Sequence, residues 1–143
     1  MQCVMKDKIK FILAAFWQCT YGLLQSAMGA VVFLWFVRCT HFRYKNAIMT
    51  NWTRDDGVSL GLFAFVPKRS SKDMYEHLIR HEYGHCCQSM ILGPLYLPLI
   101  GLPSIIWNIT PILNSYRHKN RIMYETFYTE SWANRLGGTD QWL

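Results

Sequence analysis

Two histidines four residues apart flank a glutamate in the run His81-Glu82-Tyr83-Gly84-His85. On an α-helix, positions i and i+4 share a face. Both imidazoles then reach one metal ion, and Glu82 stands where it can take a proton from a water that the metal activates. That is the chemistry of a zinc hydrolase. The plain alternative is a helix with two surface histidines and a glutamate. Composition alone would produce the motif by chance in roughly 0.5% of such chains, so the metal reading outweighs it.

A catalytic zinc site takes three protein ligands and keeps one position open. The candidates after the motif are His118, Glu125, Glu130 and Asp140. Glu130 lies in Tyr128-Thr-Glu-Ser-Trp-Ala-Asn134, with Asn134 at i+4 on the same face, able to bond a ligating carboxylate or imidazole. Glu125 has Arg121 at i−4 as an ordinary surface partner. This local argument ranks Glu130 first and leaves Glu125 open. His77 shares the face of His81 and His85 and is read as a supporting or surface residue, not a ligand. The cysteines, Cys3, Cys19, Cys39, Cys86 and Cys87, offer no C-x-x-C spacing. Cys86 and Cys87 read as small buried helix residues, and the odd count favours a reducing, cytoplasm-facing site.

These residues need elements to carry them. A chain of 143 residues reads as one domain, 1–143, but apolar residues make up 51% and are clustered. No charge falls between Phe11 and Val37 or between Cys86 and Tyr116. About 20 apolar residues suffice to cross a bilayer, so the expectation is an integral membrane protein, mainly α. Residues 8–38 are expected as one transmembrane helix. Its start resembles a signal peptide, but apolar sequence resumes at Val31, which predicts a retained anchor. Gln18, Thr20, Gln25 and Ser26 should face protein rather than lipid, and Gly22, Ser26 and Gly29 suggest a close helix contact.

Residues 43–67 read as a small β-hairpin, Tyr44 to Trp52 and Val58 to Val66, turning at Asp55-Asp56-Gly57. Its second run presents Val58, Leu60, Leu62 and Ala64 as an edge strand on which an extended peptide substrate could add. Residues 71–92 form the motif helix, capped by Ser70 or Ser71 and stopped by Gly93-Pro94. Residues 93–116, punctuated by four prolines and Gly101, read as a re-entrant or hairpin membrane segment. Residues 120–136 read as a C-terminal helix ended by Gly137-Gly138.

His81-Glu-Tyr-Gly-His85 followed by Glu130-x-x-Ala133-Asn134 resembles the glutamate-type zinc peptidases (gluzincins) of membranes, the CAAX prenyl endopeptidases and HtpX-like heat-shock proteases. The resemblance implies Zn2+ held by His81, His85 and Glu130, Glu82 as the catalytic base, and an edge strand just before the motif helix. Asn134 departs from that pattern, which has Asp there. The longer string, with Leu92-Gly-Pro-Leu-Tyr-Leu97 and Trp132-Ala-Asn-Arg-Leu-Gly-Gly138, is similar to a group of small bacterial membrane proteins. It implies a bacterial cytoplasmic membrane and names no substrate.

Shared ligation has a geometric consequence. A straight helix over 93–116 would carry the chain about 35 Å, across the bilayer and away from the histidines. Either Glu130 is not a ligand, or the segment turns back, or the final helix dips into the membrane. The proline and glycine pattern favours turning back near Gly101-Leu-Pro-Ser104, with the exposed backbone covered by the first helix or by a second copy in a homo-oligomer. Three Lys/Arg precede Phe11, eight lie in 38–80 and four follow Tyr116, which sets the loop and tail on the cytoplasmic side.

The expected activity is hydrolysis of peptide bonds in a peptide or membrane-protein substrate at the membrane surface. The rival is a non-enzymatic membrane adaptor or assembly module with a structural or vestigial zinc site. A third reading, a basic protein binding anionic lipid or nucleic acid, has only the net charge of +6 behind it. The basic residues flank apolar runs and form no recognition motif, so nucleic acid is not an expected partner.

Overall fold

The computed structural model of the protein describes residues 2–69 and 71–139. The order of elements is α1 (Gln2–Thr20), α2 (Leu23–Trp35), β1 (Thr40–Tyr44), β2 (Ala47–Trp52), β3 (Val58–Leu60), β4 (Phe63–Pro67), α3 (Lys72–Leu92), α4 (Leu102–Ile109), α5 (Pro111–Asn120) and α6 (Tyr128–Gly137). The architecture is mainly helical around one small mixed sheet.

The motif helix α3 begins where its cap predicts. Ser71 Oγ accepts the Met74 N–H at 3.5 Å, and Gly93 ends the helix. Ser70, the other cap candidate, lies outside the described residues.

The single hairpin expected over 43–67 is two hairpins. The sheet order is β1-β2-β4-β3, with β2 and β4 parallel and the outer pairs antiparallel. Gly61, at φ 63°, turns the second run back on itself, a conformation that costs an L side chain more than glycine. Two consequences follow. The edge strand shrinks to Val58–Leu60, while Ala64 sits in the interior strand β4, fully buried, and Leu62 lies in the turn. The turn also shifts the alternation, so that Ser59 pairs with Ala64 and shares its face. That face packs on α3, with Ala47, Met49, Ala64, Val66, Ile79, Tyr83 and Cys86 as the core.

The expected helix over 8–38 is broken at Tyr21-Gly22 into α1 and α2. Gln18, Gln25 and Ser26 are buried, as their polarity required, whereas Thr20 is exposed and bonds its own helix at Phe16 O and Trp17 O. Gln18 Nε2 donates to Cys86 O at 3.1 Å, and Gln25 Nε2 to Gly93 O at 2.8 Å and Ser89 Oγ at 3.1 Å. Polar contacts thus dock α1 and α2 on α3. The large apolar side chains of α2 (Leu23, Leu24, Val31, Leu34 and Trp35) are exposed.

The segment after α3 bends, but not near Gly101. Leu97–Gly101 is a π-helical turn that runs directly into α4, and Pro98 and Pro103 fall in first turns, where a missing N–H breaks no helical bond. The bend comes at Thr110, which Pro111 forces into an extended conformation (φ −75°, ψ 116°). The two halves, Leu97–Ile109 and Pro111–Asn120, meet at 74°. Among the described residues no single helix is long and apolar enough to cross a membrane, although this bent pair passes together. The expected C-terminal helix over 120–136 begins only at Tyr128, after a 3-10 turn at Tyr124–Thr126.

Candidate metal centre

The long return from His85 to Glu130 is closed by small residues. Gly84 on α3 lies against the backbone carbonyl of Ala133 on α6, and Gly137 lies against the carbonyl of Arg80, contacts that leave no room for a Cβ. The close crossing brings the two helix faces into register. Glu130 Oε2 then stands 3.1 Å from His81 Nε2 and 3.3 Å from His85 Nε2. One ligand atom from each of the three residues lies within 4.8 Å of the other two, so this buried group can hold a metal ion.

The far nitrogens are tied down. His81 Nδ1 lies 2.6 Å from Asn134 Oδ1, and His85 Nδ1 lies 2.7 Å from Gln88 Oε1. An amide oxygen only accepts, so each Nδ1 carries its proton and each Nε2 is turned toward Glu130. Gln88 is held in turn by donating to Thr129 O at 2.7 Å. Glu130 Oε1 receives Thr129 Oγ1 at 3.0 Å and the hydroxyl of Ser104 from α4. One carboxylate oxygen is thus engaged by hydroxyls, while the other faces the imidazoles.

Glu82 sits one residue along, on the sheet side of α3. Its carboxylate Oε2 lies 2.8 Å from Ser59 Oγ, whose other neighbour is the Glu82 carbonyl at 2.7 Å. Gly57 packs directly on this carboxylate. Sequence alone reads Gly57 as a turn residue; its contact is with Glu82.

Burial raises the Glu82 pKa above the ordinary carboxylate value, against the pull of His85, His81 and Ser59. Burial also opposes charge on His81, but the hydrogen bond to Glu130 and the charges of Glu82 and Glu130 prevail and raise its pKa to about 9. For Glu130 burial is again opposed, here by both imidazoles, which hold the carboxyl well below the carboxylate range. The metal-free site therefore keeps an imidazolium and a carboxylate where an ion and its ligands would sit.

The structure brings together His81, Glu82, His85, Glu130 and Asn134. His77 joins at one remove: its Nε2 lies 3.4 Å from Glu125 Oε1, and Asn134 Nδ2 donates to Glu125 Oε2 at 3.0 Å. Glu125 is neither a ligand nor a partner of Arg121, as its spacing suggested; it backs the amide of Asn134. His118 lies against a separate cavity near Arg117, and Asp140 lies outside the described residues. Burial pushes the Cys86 thiol up, which suits a packing residue, and Cys87 is partly buried.

No family model, curated protein or solved structure matches this chain.

Ser59, Gln88 and Ser104 are the residues that spacing did not single out. Gln88 stands at i+3 from His85, so helical spacing contains it. Ser59 becomes visible only once the turn at Gly61 is known, and Ser104 only once α4 lies over Glu130.

Proposed function

We propose that this protein is a zinc-dependent metallopeptidase embedded in a membrane, with His81, His85 and Glu130 as ligands and Glu82 as proton carrier. One observation carries the reading. Ligand atoms about 2.0–2.1 Å from a tetrahedral zinc lie about 3.3 Å apart, and Glu130 Oε2 stands 3.1 and 3.3 Å from the two imidazole nitrogens. The set is two nitrogens and one oxygen, a donor choice that suits zinc and leaves a fourth position.

When bound, zinc supplies a Lewis acid that polarises the scissile carbonyl and brings the pKa of a water to about 7. Glu82 takes the proton of the attacking water. It then delivers that proton to the amide nitrogen as the C–N bond breaks. Its raised pKa suits a group that must both accept and release a proton near neutrality. Asn134 and Gln88 hold the two imidazoles in the tautomer that presents Nε2.

A peptide substrate would add along the outer edge of β3, Val58–Leu60, beside Glu82. The Ser59 carbonyl on that strand now accepts the Tyr96 hydroxyl at 3.2 Å. Glu130 is covered by Ser104. These obstacles lie on Tyr96–Ser104, and Gly29 of α2 packs against the Leu60 carbonyl of β3, so substrate entry requires both segments to yield. The α4 portion of Tyr96–Ser104 has no buried residue, whereas Tyr96 and Ile100 are buried and would have to leave the core.

The membrane part of the reading rests on inverted polarity. α1 and α2 bury Gln18, Gln25 and Ser26 while presenting leucines, valines and tryptophans outward. Ile105, Ile106, Ile109 and Ile112 extend the same apolar exposure along α4 and into α5. Water penalises such a surface, and lipid does not.

A non-enzymatic membrane module with a structural zinc is the second reading, and the burial of all four site residues favours it. One experiment separates the two. Purified wild type and Glu82→Gln are analysed for zinc and for cleavage of a peptide library. Zinc in both with cleavage only by wild type supports the peptidase; zinc in both with cleavage by neither selects the structural module.

A further inference from the structure

Away from the metal centre, the end of α5 holds a second group of functional side chains. A cavity of about 470 Å³ is lined by Asn114, Arg117, His118, Arg121 and Tyr124, with an apolar side at Ile122-Met123. Among the described residues no carboxylate lines it.

Arg117 is the informative residue. It is only 8% exposed. Its guanidinium lies between two aromatic rings, with Cζ 5.1 Å from the Trp107 ring centre and 5.2 Å from that of Tyr124. Nη2 donates to Asn114 Oδ1 at 3.0 Å. Nη1 is buried and has no hydrogen-bond partner among the described residues. A buried charged donor left unpaired is costly, so native proteins pair it or use it. The rings hold the guanidinium plane and accept none of its N–H bonds. Basic residues in a last helical turn also answer the helix dipole, which accounts for Lys119 but leaves the buried Nη1 without a partner.

The geometry points to a phosphate-binding site at this cavity, with the incompletely paired Arg117 guanidinium in its wall and His118 and Arg121 as the flanking groups. A guanidinium fork matches phosphate oxygens, and three basic residues without a facing carboxylate select an anion. The position names the favoured source. The exposed isoleucines of α4 and α5, ending at Ile112, give way within about one and a half turns to Arg117-His118-Lys119. An apolar stretch running into a basic pocket is where the headgroup of an anionic phospholipid meets a membrane protein. The site stands apart from the zinc reading: it needs neither metal nor cleavage.

The test uses the full chain in detergent. Phosphatidylglycerol and phosphatidylcholine are offered in mixed micelles, and inorganic phosphate in solution, with bound ligand counted by native mass spectrometry and stability read by thermal unfolding. Three variants are compared. Arg117→Gln removes the buried donor. Arg121→Asn removes a flanking charge while suiting the left-handed conformation at that position (φ 54°), so it keeps the fold if Arg117→Gln does not. Lys119→Gln removes a charge that does not line the cavity.

Phosphatidylglycerol should bind and stabilise the wild type in preference to phosphatidylcholine. Affinity should fall about tenfold or more in Arg117→Gln and Arg121→Asn, the loss of a charge-assisted hydrogen bond, and stay unchanged in Lys119→Gln. Binding of inorganic phosphate with the same variant pattern, and no lipid preference, keeps the site and assigns it to a free phosphate. Equal losses in all three variants, or no binding of either probe, overturns the proposal. Zinc content should be the same in all variants, which separates failure here from failure of the metal centre.

Discussion

Gly84 on α3 lies against the backbone carbonyl of Ala133 on α6, closer than any Cβ would permit. This contact sets the distance between the helix that carries His81 and His85 and the helix that carries Glu130. Gly84→Ala should improve the intrinsic helix propensity of α3 by about 1 kcal/mol. It should nevertheless push α6 away, and a ligand displaced by a fraction of an ångström no longer closes the metal site. The expected result is a zinc dissociation constant raised about tenfold or more, measured by chelator competition, with helical content by circular dichroism retained. Unchanged zinc affinity would mean that α6 is positioned by something other than this crossing.

Glu82→Gln keeps the size of the side chain and the contact with Ser59 but cannot carry a proton. Zinc content should match wild type, and cleavage should fall by about 10²- to 10⁴-fold, the usual yield of a positioned acid–base group. Cleavage at the wild-type rate would remove Glu82 from the chemistry.

The motif helix was legible because its signals are local. Ser71, the spacing of His81 and His85, and Gly93 each act within a turn or so of their own position, and α3 runs from Lys72 to Leu92 as they indicate. The sheet was less legible. Asp55-Asp56-Gly57 looks like a hairpin turn, yet the turn is at Gly61-Leu62, and the parallel pairing of β2 with β4 skips over β3. Turn chemistry specifies where a chain can reverse, and only the packing of Met49, Ala64 and Val66 on α3 decides which strands then pair. The same division runs through the site. Glu130 was found from its local context and a family likeness, whereas the link from Asn134 to Glu125 and His77 joins residues up to 57 positions apart and left no periodic trace.

That link gives Asn134 two partners at the position where the zinc peptidases this chain resembles carry Asp. Asn134 accepts from His81 through Oδ1 and donates to Glu125 through Nδ2, so the negative charge sits one residue farther out. Asn134→Asp would place two carboxylates in contact and remove that hydrogen bond. A destabilisation of about 1–3 kcal/mol is expected in thermal or denaturant unfolding. Glu125→Gln added to Asn134→Asp should recover most of it, because the charge has then moved inward and the amide outward. If the two changes simply add, Asn134 and Glu125 are not coupled.

The protonation of His81 makes metal binding pH-dependent. In the metal-free protein its pKa is raised to about 9, so at pH 7.5 the nitrogen that zinc needs still carries a proton. Zinc must displace that proton. Affinity should therefore rise about tenfold per pH unit as pH climbs toward about 9, and level off above. The stability of the metal-free form runs the other way. A raised folded-state pKa contributes stability that is complete below about 6.5 and is lost as pH climbs through 9, a change on the order of 3 kcal/mol for this shift. Calorimetry at pH 7.5 in buffers of different ionisation enthalpy should count about one proton released per zinc. A zinc affinity independent of pH in wild type would show that His81 is neutral before the metal arrives.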